Sequence, residues 1–166
     1  MKFNYYAFKA IYLHEMDRFR RTLMQSLLSP VLSTSLYFIV FGSVIGGYVE
    51  KIDGISYGSY IVPGLLMLTL LTQSISNTSF GIFFPKFNGT IYEILAAPIS
   101  TLEVVLAFVG AGATKTLIVS IIIFITSLFF VDVQVKYPLL MIFLLILVAF
   151  TFALFGFLIG LISSDF

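Results

Sequence analysis

At 166 residues, with 60% hydrophobic and only 10% charged side chains, the chain lies far from the roughly 25% charged fraction of a soluble domain, and no water-soluble fold of this size could hide so much apolar surface. It reads as a membrane protein. A net charge of +1, with no basic patch interleaved with stacking aromatics beyond the N-terminal segment, excludes nucleic acid as a partner; the lack of cysteine and the single histidine, His14, remove disulfides, thiolate nucleophiles and the usual zinc clusters.

The first thirty or so residues hold no short apolar core followed by a small-residue cleavage site, so the chain from Met1 is expected to be mature and its first apolar block to remain as an anchor. In residues 3–22, Phe8, Ile11, Tyr12, Met16, Phe19 and Leu23 recur at helical spacing, while Lys9, Glu15, Asp17, Arg18 and Arg20 fall mostly elsewhere. This predicts an amphipathic helix over 1–22 in the cytoplasmic headgroup layer, its basic face reaching anionic lipid, the alternative being a plain cytoplasmic tail whose positive charges only set orientation.

Four apolar blocks follow, about 23–48, 58–84, 103–131 and 138–162, each at least the ~20 residues a helix needs to cross the hydrocarbon. The fold class expected is all-α and polytopic. Lys2, Lys9, Arg18, Arg20 and Arg21 precede the first crossing, whereas the first and third connections carry only Lys51 and Lys136, which places the N-terminus in the cytoplasm. The second connection and the "SSDF" end then lie on the same side.

Pro30 in the first crossing stands near the helix start or kinks it. Gly42 and Gly46 there, and Gly156 and Gly160 in the fourth crossing, make small-xxx-small pairs that serve either packing within the bundle or dimerisation. The second crossing turns polar at Gln73, Ser74, Ser76, Asn77, Thr78 and Ser79, groups that must face protein or water: they either line a pathway or hydrogen-bond to neighbouring helices. In the third, Lys115 is followed by sixteen uncharged residues and sits roughly 18 to 20 Å from the block's start. A lysine so deep either faces the bundle interior or snorkels toward the headgroups. Gly110, Gly112 and Ala113 before it admit a close neighbour.

The connection "PKFNGTIYEILAAPISTLEV" combines a turn at Asn88 and Gly89, a capping box over Thr90 to Glu93, an apolar face of Ile91, Ile94 and Leu95, a stop at Pro98 and a second capping box over Ser100 to Glu103. It predicts a separately capped helix of barely two turns, too short to be stable without a surface to pack on.

These segments resemble the membrane-spanning permease subunits of bacterial ABC-2 type transporters, in "YFIVFGSVIG", "YIVPGLLML", "FPKFNGTIYEILAAPIS" and the small residues before Lys115. The resemblance covers essentially the whole chain and implies an exporter subunit in the bacterial inner membrane, paired with a second permease copy and with separate ATP-binding-cassette ATPase subunits. It implies a coupling connection at 86–100 that docks on the ATPase through Lys86, Asn88, Thr90, Ile91, Tyr92, Glu93, Ile94 and Leu95. Gln73, Asn77 and Lys115 are the candidates for a pathway or a polar bundle interior. No cofactor is expected on this chain, which has no G-x-x-x-x-G-K-[ST] loop; ATP and Mg²⁺ belong to the partner. The family has six crossings where this chain stops after the fourth, as an N-terminal fragment would, so residues 23–166 correspond to a partial transmembrane domain.

Two other classes compete. A membrane-embedded enzyme would need Glu103, Asp132 or His14 as acid or base, yet each has a simpler structural role, so no catalytic and no metal residue is expected. A small four-helix scaffold or passive channel would work without an ATPase.

Overall fold

The computed structural model describes residues 3–45, 51–52, 54–133 and 135–163. Helix α1 (Tyr5–Arg21) begins where the Asn4 carboxamide oxygen accepts the Ala7 N–H at 3.3 Å, and ends among Arg18, Arg20 and Arg21, whose positive charge suits a helix C-terminus. Helix α2 (Leu23–Tyr37) runs through Pro30 and passes into a π-helical segment, Phe38–Ile45. Gly46 of the Gly42/Gly46 pair and residues 164–166 of "SSDF" lie outside the described residues.

Two short strands, β1 (Lys51–Ile52) and β2 (Ile55–Ser56), pair antiparallel, with Gly54 at φ 82° in the turn, a backbone region that glycine enters without steric penalty. Helix α3 (Tyr57–Phe87) starts at Ser56, whose hydroxyl accepts the Ser59 N–H, and continues through Pro63 and Pro85. The short α4 (Ile91–Ala96) follows. Helix α5 (Thr101–Leu128) opens with a complete capping box: Ser100 Oγ accepts from Glu103 N–H at 3.4 Å and Glu103 Oε2 accepts from Ser100 N–H at 3.0 Å. Pro138, at the first turn where its missing N–H is harmless, opens α6 (Pro138–Ile162).

Among the described residues, four helices are long and apolar enough to cross a membrane: one starting at Leu23, then α3, α5 and α6. The chain is an all-α polytopic membrane protein. Helix α3 is the centre of the bundle, with α5 antiparallel on one side and α6 on another. Leu70, Ile82, Phe108, Val109, Ala149, Ala153 and Phe157 form one apolar core; Phe19, Phe38, Val62, Leu66, Val119 and Ile123 form a second, nearer α2. On α6, Ala149, Ala153, Gly156 and Gly160 are buried and turn toward α3 and α5, while Leu139, Phe143, Leu147, Phe155 and Leu158 are exposed. A helix so apolar on its outer face needs lipid there.

Candidate functional site

Helix α1 does more than float on a surface. Asn4 N–H donates to Glu103 Oε1 at 2.6 Å, Tyr12 Oη donates to Thr114 Oγ1 at 3.0 Å, and Lys115 Nζ donates to Glu15 Oε2 at 2.7 Å. The sequence offsets of these contacts are 99, 102 and 100 residues, so α1 runs parallel to α5 in nearly constant register. The apolar stripe assigned to lipid in the sequence accordingly packs on protein in part: Phe19 is buried, and Ile11 and Met16 lie against the two cores.

At the centre of this seam lies a charge cluster. Glu15 Oε2 receives both Lys115 Nζ at 2.7 Å and Arg18 Nη2 at 2.8 Å; the Glu15 and Lys115 side chains are 2% and 4% exposed, that of Arg18 34%. Lys115 therefore faces the bundle interior rather than snorkelling to the surface. Ionic groups cannot be buried singly, and each answers the other's need for a counter-charge. Gly81 of α3 lies over the Glu15 carboxylate; a methyl group there would touch Glu15 Oε2 at 3.5 Å and Arg18 Nη2 at 3.7 Å. Glu15 Oε1 has no hydrogen-bond partner among the described residues.

The polar run of α3 approaches the same place from the opposite side. Asn77 Nδ2 donates to Thr116 Oγ1 at 3.4 Å, one residue beyond Lys115, and to Gln73 Oε1 at 3.5 Å. Thr78 lies against Gly112 so closely that a Cβ on Gly112 would overlap its hydroxyl. Ser74, Thr78 and Ser120 are buried, their hydroxyls unpartnered among the described residues. Arg18, Gln25, Ser76, Asn77 and Lys115 line a cleft of about 360 Å³ between the start of the first crossing and α3. Of the three interior candidates, Asn77 and Lys115 share this cleft, and Gln73 is tied to it through Asn77.

The connection after α3 forms the turn, the short helix and the second capping box predicted, but not the first cap. Asn88 caps α3 and Gly89 turns the chain at φ 77°. The Thr90 capping box does not form: Thr90 has helical dihedrals of −63° and −18°, where a cap residue is extended, and its hydroxyl makes no capping bond. Helix α4 rests instead on the apolar contacts of Ile91 and Ile94 with the first core. Leu95, predicted on that same face, points away: Tyr92 and Leu95 are 73% and 69% exposed, and Asn88, Thr90 and Glu93 are exposed as well. Lys86 turns inward, its ammonium donating to the carbonyls of Leu161 at 2.7 Å and Ser163 at 2.6 Å, where it satisfies free carbonyls at the end of α6. Replacing Lys86 with methionine is expected to lower stability by no more than about 1 kcal/mol, read as a small shift in the thermal midpoint, because these bonds lie near the surface.

The competing acid–base candidates stay apart. Glu103 is held as a cap, His14 is exposed on α1, and Asp132 contributes its backbone carbonyl to Ser59. Among the described residues no cluster of three metal-ligating side chains occurs.

Comparison with known proteins adds a family to this geometry. The sequence profile described as "ABC-2 type transporter" matches residues 6–166. The "Inner membrane transport permease YadH" of Escherichia coli (strain K12) is 38% identical over 160 residues, covering 96% of this chain and 62% of that protein. The protein of the same name from Shigella flexneri matches equally. The chain thus spans about three-fifths of the length of these curated relatives. No solved structure matches it.

Proposed function

The chain belongs to the ABC-2 type transporter family, and from that premise we propose that it is part of a permease subunit that moves a substrate across the bacterial inner membrane. ATP, with Mg²⁺, is bound and hydrolysed by a separate ATP-binding-cassette subunit, and a second permease copy completes the transporter. The amphipathic α1 and the 86–100 connection lie on the cytoplasmic face, in keeping with the basic residues of the N-terminal segment.

The observation that carries this reading is the division of labour on α4. Its Ile91 and Ile94 are half-buried and pack against the bundle core, while Tyr92 and Leu95 of the same two turns are exposed. A partner that grips the outer pair therefore bears on the bundle through the inner pair and through α3, which α4 contacts. An exposed aromatic beside an exposed leucine is a composition suited to a protein contact and poorly suited to water.

The test is retention of the ATPase on the permease. With the full-length permease co-expressed with its partner ATP-binding-cassette protein, joint Tyr92→Ala and Leu95→Asp substitution is expected to cut the co-purified ATPase about tenfold, as loss of two anchor side chains would. Both positions are exposed, so the bundle should keep its melting temperature. Undiminished co-purification would overturn the docking role of α4.

A further inference from the structure

We propose that the cleft between the start of the first crossing and α3 is a binding site for the headgroup of a monoanionic phospholipid, drawn from the leaflet on the α1 side. The cleft, at about 360 Å³, falls in the range of small-ligand sites. Its wall carries two cations, Arg18 and Lys115, against the single carboxylate of Glu15 that they share, which leaves one positive charge unbalanced. Lys115 is almost fully buried, and of its three N–H donors only one has a partner among the described residues, the bond to Glu15. Ser76, Gln25 and Asn77 add neutral polar groups beside these charges. A phosphodiester carries one negative charge and two terminal oxygens, matching the surplus charge and the free donors.

The apolar part of the cleft supplies the other half of an amphiphile's requirement. Phe80 and Phe84 line it, each nearly half exposed, their ring centroids 5.8 Å apart along the outside of α3. They form a wall on which an acyl chain can lie once its phosphate is held. Depth is consistent with this: the 28 residues of α5 make a rod of about 42 Å against ~30 Å of hydrocarbon. The opposite end of α5 runs into Phe129, Phe130 and Val131, so the excess falls on the α4 side. Lys115 then lies only about 9 Å inside the hydrocarbon edge, within the reach of a headgroup drawn slightly inward.

The chain contains no tryptophan, so Phe80→Trp in the purified full chain gives a single tryptophan, on the cleft wall, that can be excited apart from the tyrosines. Reconstituted in vesicles that mix phosphatidylglycerol and phosphatidylcholine, with the bromine-labelled acyl chains on either one lipid or the other, this reporter is expected to be quenched by phosphatidylglycerol with roughly fivefold greater apparent affinity, the worth of one unbalanced basic charge. Arg18→Gln and, separately, Ser76→Glu should bring that ratio to about one; neither side chain is buried, and a melting temperature kept near the parent's checks that each variant folds. Arg18→Lys should restore it. Equal quenching by the two lipids in the unmodified cleft, or a preference that persists in Arg18→Gln, overturns the site. Reversal of the phosphatidylglycerol quenching by millimolar inorganic phosphate would make the ligand a free anion and overturn the lipid assignment.

Discussion

Lys115→Met alone is expected to lower the stability of the folded chain by about 3–5 kcal/mol, and adding Glu15→Gln to the same chain should recover most of it. The reason is the position of the carboxylate. Glu15 is 2% exposed and, among the described residues, keeps one other partner, Arg18, which is itself a third exposed and free to swing toward water. Without Lys115 the bundle must hold a nearly unpaired anion between α1, α3 and α5, and it will sooner release α1. With glutamine at 15 and methionine at 115 the charge is gone from both sides; the residual deficit is that of one poorly satisfied amide, about 1–2 kcal/mol. Arg18→Ala should cost less than about 1 kcal/mol, since its exposure leaves that ion pair screened by solvent. Thermal unfolding of the three variants and the parent in one detergent distinguishes these cases. A single Lys115→Met variant as stable as the parent would show that the pair does not fasten α1 to α5.

How much of this was legible beforehand depends on whether the partner of each residue lay nearby in the chain. The long apolar blocks and the Ser100–Glu103 box are local patterns, and the structure forms helices and a cap from them. Thr90 to Glu93 matched the same box equally well, but there the Gly89 turn feeds the chain in with Thr90 already helical, so the side chain has no cap to make. Pattern alone does not distinguish the two. The Lys115 partner is about 100 residues away, and no spacing rule reaches it. A signal did exist on the other side: Ile11, Glu15 and Phe19 follow one another at intervals of four, so the acid stands in the apolar stripe of α1, not opposite it. An acid at such a position and a lysine deep in a crossing each call for a counter-charge, and pairing them would have predicted the seam. Lys86 is harder. Its role depends on where α6 happens to end, which nothing in the connection itself encodes.

The seam between α3 and α6 carries the other large expected effect. Gly156→Val should separate these helices, because a Cβ at 156 would lie 2.5 Å from the Ile75 carbonyl oxygen and 2.8 Å from its Cα, and backbone cannot rotate aside as a side chain can. Gly160 repeats the contact one turn on, against the Ser79 carbonyl at 2.5 Å. In lipid, helices gain little from apolar burial against one another, so this close approach is a large part of what holds α6 in place. Overpacking at one such position costs about 1–3 kcal/mol, and valine at both roughly doubles that, a large share of a total stability of about 5–15 kcal/mol. Gly64→Ala is the control: no atom lies within 4 Å of a Cβ there, and the change should be neutral or mildly stabilising through helix propensity. The same experiment separates two uses of a small-xxx-small pair. If Gly156→Val leaves the thermal midpoint unchanged but abolishes association between copies, the glycines serve a second chain; a midpoint that falls, with Gly64→Ala unaffected, assigns them to the bundle of this one.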